Sequence, residues 1–289
     1  MIYNNHIKLA DGTMLPKSTI VLYGGGLGDV IHDIYALDNY LYMDKPDRGE
    51  FVINIVTSHN SAAKELFEYH PMVLGRKAGV LFIPFTGVPW KKHACDYMGI
   101  DPARVRSGKV LTQPSKVKLY MSESDKHIIG ACSTGRYAVL HPFAGTPERC
   151  MSTGLVNKII LALLRRNIRV CIVGKTYCRT WPDRNGTVRS ENTSGFHKGA
   201  RVVDLTSSGL SIVGTIELIK RSCLFVGSHS SMCIVAWHNR KKSIVLYDET
   251  AKERDYRVKN RWSFGKDFPT TRHGLFNNFS PSMIDDLLR

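Results

Sequence analysis

Residues 19–37 read TIVLYGGGLGDVIHDIYAL, and this stretch decides the fold. The apolar run 19–23 has the length of a buried strand, and Val30, Ile31, Ile34 and Leu37 recur at helical spacing. Between them Gly24, Gly25, Gly26 and Gly28 form a turn. Strand, glycine turn and helix start bring backbone N–H groups to the carboxyl edge of a parallel sheet, where open α/β sheets take their ligands. Asp29 stands at the helix start. A carboxylate there repels a phosphate, so the turn is a poor pyrophosphate cradle. It suits a base that takes a proton from a hydroxyl, with a plain helix cap as the competing reading. Gly24-x-Gly26 lacks the third glycine of a dinucleotide fingerprint, which argues against a nicotinamide enzyme.

The same alternation runs along the chain. Strands are expected at 51–56, 80–83, 137–140, 168–173, 202–205, 223–226 and 243–247. Helical patterns lie at 61–69, 123–131, 154–166, 210–220, 230–238 and 281–288. The polar stretch 180–199 reads as an exposed loop or short helix, and 248–279 as a basic, aromatic tail. Alternating strands and helices make the class α/β with parallel sheets.

The 289 residues are 43% hydrophobic, enough for two modest α/β domains. No segment approaches the ~20 apolar residues of a membrane span, and the N-terminus lacks a signal layout. Seven cysteines, none in C-x-x-C spacing, read as reduced thiols of a cytoplasmic protein without structural zinc. Lys and Arg total 40 against 25 Asp and Glu, a net charge of +15 that favours a polyanionic partner: nucleic acid, an anionic membrane surface or a phosphorylated glycan. The chain has no Asp-x-Asp metal motif, P-loop, Gly-x-Ser-x-Gly elbow or His-Glu-x-x-His.

Gly28-Asp29-Val30-Ile31-His32 with Ala36-Leu37 downstream resembles the N-terminal signature of lipopolysaccharide heptosyltransferase-like glycosyltransferases, with Tyr35 where that family usually has proline. Three later segments extend the likeness: 140–149 (LHPFAGTPER), Asp204-Leu205-Thr206, and 224–231 (LFVGSHSS). His229, Ser231 and Ile234 depart from the family's Asp, Gly and His. The resemblance implies a GT-B fold, two Rossmann-like domains facing a central cleft. An acceptor-binding domain is expected at 1–120, a linker at 121–135 and a nucleotide-sugar domain at 136–278. A closing helix at 279–289 is expected to pack back on the first domain.

It also implies roles. Asp29 is the catalytic base. Thr146, Arg149, Lys175 and the turn Gly227, Ser228, His229, Ser230, Ser231 hold the donor diphosphate, for which Arg149 has the strongest claim because a leaving diphosphate without a metal needs cations and helix dipoles. Gly26, Gly28 and His32 face the acceptor, with a half-buried helix histidine as the competing reading of His32. Lys91 and Lys92 add cations to the first domain, and Arg257, Lys259 and Trp262 belong to a stretch mixing cations with rings, as single-stranded nucleic-acid grooves do. Solvated surface is the plain alternative for each cation.

The function expected is therefore an inverting, metal-independent glycosyltransferase that uses a nucleotide sugar as co-substrate and needs no cofactor. Its acceptor is a polyanion. Hydroxymethylated pyrimidines in DNA, a phage-type modification, are narrowly favoured over a lipopolysaccharide core. A non-catalytic nucleotide or nucleic-acid binder is the third reading. The sequence does not name the sugar, the base or the oligomeric state.

Overall fold

The structure, a computed structural model, describes residues 119–144, 149–174, 195–248 and 270–289. It also describes the strand residues 7–8, 14–15, 19–24, 52–57, 80–84, 181–182 and 188–189, and the helical positions 28, 31 and 66. The chain divides into two compact units, Met1–Ser122 and Glu123–Arg289.

The first unit opens with a short antiparallel pair, β1 (Ile7–Lys8) and β2 (Met14–Leu15). Its described sheet holds β3 (Thr19–Gly24), β4 (Val52–Thr57) and β5 (Val80–Pro84), all parallel and in that order. Gly28 and Ile31 are helical just beyond β3, and Ile31 is 1% exposed. The strand read at 19–23 is thus present, and positions 28 and 31 are helical where the following helix was read. Leu66, also helical and buried, lies in the helix expected at 61–69.

The second unit starts with α1 (Glu123–Cys132), where a linker was expected at 121–135. Strand β6 (Tyr137–His141) follows, then α2 (Thr153–Leu164), β7 (Arg169–Ile172), and the short pair β8 (Trp181–Pro182) and β9 (Val188–Arg189) in the stretch read as loop. The chain continues through β10 (Val202–Asp204), α3 (Ile212–Arg221), β11 (Leu224–Ser228), α4 (Ser231–His238), β12 (Ser243–Tyr247), β13 (Thr271–Leu275) and α5 (Ser282–Leu288). Six strands pair in parallel in the order β10-β7-β6-β11-β12-β13. Counted along the chain, that is 3-2-1-4-5-6, the order of a doubly wound nucleotide-binding sheet.

β6, β11 and β12 are buried at every position, as apolar runs covered on both faces must be. Ile159, Ile160 and Leu163 of α2 enter the same core at 0% exposure, each stabilising the fold by ~2 kcal/mol. Ser152 caps α2, its Oγ accepting from the Leu155 N–H at 3.3 Å. Helix α5, the closing helix expected at 279–289, contributes to the core of the second unit. Ile284 and Leu287 belong to the core of the second unit, and Arg166 holds Asp285 with two hydrogen bonds, one of 2.6 Å from Nε. The α5 helix packs against β12 and β13, and the charge of Asp285 finds its partner in Arg166 just after α2.

Candidate functional site

The strand order reverses between β6 and β11, and ligands of such sheets bind outside the carboxyl ends of those two strands. The residues there are His141 at the end of β6, Phe143 just beyond it, and Gly227-Ser228 at the end of β11, leading through His229 and Ser230 into α4.

This turn is tied on three sides. Ser228 Oγ donates to the Phe143 carbonyl at 2.8 Å. The His229 N–H donates to the Leu246 carbonyl of β12 at 3.1 Å. Cys233 Sγ donates to the Ser228 carbonyl at 2.9 Å. Gly227 is required by space, because a Cβ there would lie 2.5 Å from Phe225 Cζ. Gly174, at φ +117°, is required twice: by its left-handed backbone and by Phe143 Cδ2 2.9 Å from a Cβ position.

Ser230 precedes α4 in extended conformation, and its side chain makes no cap bond to the helix. Its Oγ lies 3.2 Å from His141 Nδ1 instead. The N-terminal N–H groups of α4 therefore face the carboxyl edge without a serine hydroxyl folded over them, an arrangement suited to an anion. His141 is 9% exposed, and burial lowers its pKa to about 4, so the ring is neutral at pH 7. The neighbouring Cys233 thiol is pushed up to about 12 by burial, against the hydrogen bonds of Ser230 and the charge of Arg149. Cys233 is thus an uncharged packing group, and the charge of Arg149 reaches the first turn of α4.

Arg149 is half-buried in the segment between β6 and α2. That segment is closed by the Met151 N–H donating to the Pro142 carbonyl at 2.9 Å and by Cys150 Sγ accepting from the Ala144 N–H at 3.3 Å. At the end of β10 Asp204 Oδ1 accepts from the N–H and the hydroxyl of Thr206, at 3.0 and 2.7 Å, so the Asp-Leu-Thr segment forms a closed turn. His229, half-buried, stacks on Tyr247 with ring centroids 5.2 Å apart, and Tyr247 Oη lies 2.9 Å from His273 Nδ1.

Of the residues singled out in the sequence, Arg149, Gly227, Ser228, His229, Ser230 and Ser231 come together around the β6–β11 switch point, and Gly28 is in the first-unit helix after β3. Asp29, Gly26, His32, Lys91, Lys92, Thr146, Lys175, Arg257, Lys259 and Trp262 lie outside the described residues. Sequence reasoning missed His141, Tyr247 and His273. The signal for His141 was present, since a histidine ending the strand before the Arg149 segment falls on the carboxyl edge.

No protein-family model matches the chain, and no curated protein matches it. Among solved structures it is similar to E. coli ADP-heptose lps heptosyltransferase II, at 13% identity over 93% of this chain and 97% of that one, with a TM-score of 0.54. It is likewise similar to the glycosyl transferase family 9 protein of Veillonella parvula DSM 2008, at 11% identity, 89% and 85% coverage and a TM-score of 0.53. The chain has the GT-B fold of the heptosyltransferases. In GT-B terms Glu123–Arg289 is the second Rossmann-like unit, and its switch point carries the Gly227–Ser231 turn.

Proposed function

We propose that this GT-B protein is a glycosyltransferase that moves a sugar from a nucleotide-sugar donor to a hydroxyl acceptor, inverting the anomeric configuration. The reading is carried by the second unit: a 3-2-1-4-5-6 sheet with Gly227–Ser231 and Arg149 gathered at its switch point. The donor diphosphate rests on the start of α4, with Arg149 balancing its charge. Asp29, whose role rests on its motif after the glycine turn, takes the acceptor proton. The acceptor oxygen then bonds to the anomeric carbon, the carbon–oxygen bond to the diphosphate breaks, and nucleoside diphosphate leaves without a metal.

For the acceptor, a lipopolysaccharide-type glycan stands first, supported by the fold likeness to a lipopolysaccharide heptosyltransferase. DNA carrying hydroxymethylated pyrimidines, the reading favoured from charge and the 252–266 segment, has no support from the comparisons, and that segment lies outside the described residues. The test is mass spectrometry of both acceptors after incubation with a panel of nucleotide sugars. Lipopolysaccharide should gain one sugar mass, and Asp29→Asn should reduce the rate about a hundredfold or more with nucleotide binding kept. No transfer to either acceptor, or full activity of the Asn variant, overturns the reading.

A further inference from the structure

In the second unit the helices run against the strands, so helix ends and strand starts meet at the amino edge of the sheet, opposite the switch point. Arg201, Arg169 and Arg136 stand at the entrances of three adjacent strands, β10, β7 and β6. Backbone bonds fix them side by side: the Arg169 N–H donates to the Arg136 carbonyl at 3.1 Å and the Val170 N–H to the Arg201 carbonyl at 2.9 Å. Lys242 enters β12 in the same row, its carbonyl accepting from the Phe225 N–H at 2.9 Å. At about 4.8 Å per strand the row is about 20 Å long. Helix ends add Arg165 and Arg166 after α2, Lys220 and Arg221 at the end of α3, and Arg240 and Lys241 after α4. Lys241 Nζ reaches the Lys220 carbonyl at 3.0 Å, which places those two groups together.

Cations at helix ends complement the macrodipole, and that accounts for Arg165, Arg166, Lys220 and Arg221. It does not account for the strand entrances. Glu217 takes up Lys220 and Arg221, and Asp285 takes up Arg166. Arg169 and Arg201 are braced by neutral oxygens instead. Arg169 donates to the Thr134 carbonyl at 2.9 Å and Arg201 to Asn167 Oδ1 at 2.6 Å, both neutral acceptors. Arg136 and Arg165 are exposed, Lys242 is half-buried, and none of the three has an acidic partner among the described residues.

We propose that this amino-edge face of the second unit docks on an anionic lipid headgroup surface. A phosphate-bearing plane matches a row of cations along a sheet edge. The described rings near this edge, Tyr137 and Trp237, are 3% and 4% exposed, so among the described residues the face offers no stacking platform for bases. Among the described residues no helix is long and apolar enough to cross a membrane, so binding here is electrostatic and reversible. The inference does not rest on the transferase reading, and its test uses no activity.

The full-length chain is sedimented with vesicles of phosphatidylcholine alone or with about a third phosphatidylglycerol, at low and high salt. It should partition onto the anionic vesicles at low salt only. Arg136→Gln should weaken partition about fivefold, and Arg136→Gln/Arg165→Gln/Lys242→Gln about a hundredfold, with an unchanged melting curve. Lys126→Gln, which removes a cation paired with Glu123 on α1, should change it less than about twofold. Equal binding to neutral vesicles, a triple variant that binds like the parent, or a Lys126→Gln loss matching that of Arg136→Gln overturns the proposal. Retention of the protein by duplex DNA with none on anionic vesicles overturns it in favour of nucleic acid.

Discussion

Burial holds the His141 imidazole neutral down to about pH 4, whereas the same ring in an unfolded chain titrates near 6.5. Between those values the unfolded chain binds a proton that the folded one refuses. Stability is therefore complete above about pH 6.5 and falls as pH drops toward 4, by about 1.4 kcal/mol per unit and about 3 kcal/mol in all. His141→Asn, which retains a polar atom near Ser230 Oγ without titrating, should flatten that part of the profile. Urea midpoints of both proteins at neutral pH and near pH 4.5 check this. A parent protein with no extra acid sensitivity over the variant would show that the ring accepts its proton inside the fold. The same residue governs where the Ser230 hydroxyl points, so its effect on the turn before α4 is geometric as well as electrostatic.

Among the elements, α1 is tied to α3 through a buried carboxylate. Asp125, 2% exposed, accepts from the Ser211 N–H at 3.0 Å and from the Ser211 hydroxyl at 2.6 Å, while Ser211 Oγ accepts from the Gly214 N–H at 3.0 Å to cap α3. Asp125→Ala strips both bonds and leaves buried donors unmatched, which should cost about 3 kcal/mol in chemical denaturation, with Asp125→Asn recovering part of it. No sequence pattern shows this pair, because residues 125 and 211 are joined only by the fold. The regular elements were more legible. The strands near 137–140, 223–226 and 243–247 are apolar runs buried on both faces, and such runs announce themselves. β13 did not, because Thr271-Arg272-His273-Gly274-Leu275 is a polar end strand of the described sheet, held by its ladder to β12 and by Ser243 Oγ 2.9 Å from Thr271 Oγ1. The glycine-serine turn at 227–231 was readable as the passage from strand to helix because its chemistry is local. The His141–Ser230 contact spans 89 positions and was not.

At the scale of the molecule the boundary falls between Ser122 and Glu123 rather than at the end of a linker. A fragment 123–289 should fold on its own with one cooperative transition, since it contains the whole six-stranded sheet and the helices that cover it. A fragment 136–289, cut at the boundary expected from sequence, loses Asp125 and Ile129, the latter 1% exposed, and uncovers the start of α3. It should be less stable by at least about 3 kcal/mol or fail to fold. Circular dichroism melts of the two fragments decide between the boundaries, and equal stability would return α1 to the role of a connector.

The central place of β6 has a consequence for how the second unit is made. Its partner on one side, β7, is synthesised soon after it, but its partner on the other, β11, comes more than eighty residues later. During synthesis β6 therefore waits with one edge open, and Ile159, Ile160 and Leu163 wait for Ile284 and Leu287 of α5 in the same core. A ribosome that stalls before α5 releases a chain with an uncovered core and an unpaired strand, a natural target for chaperones and proteases.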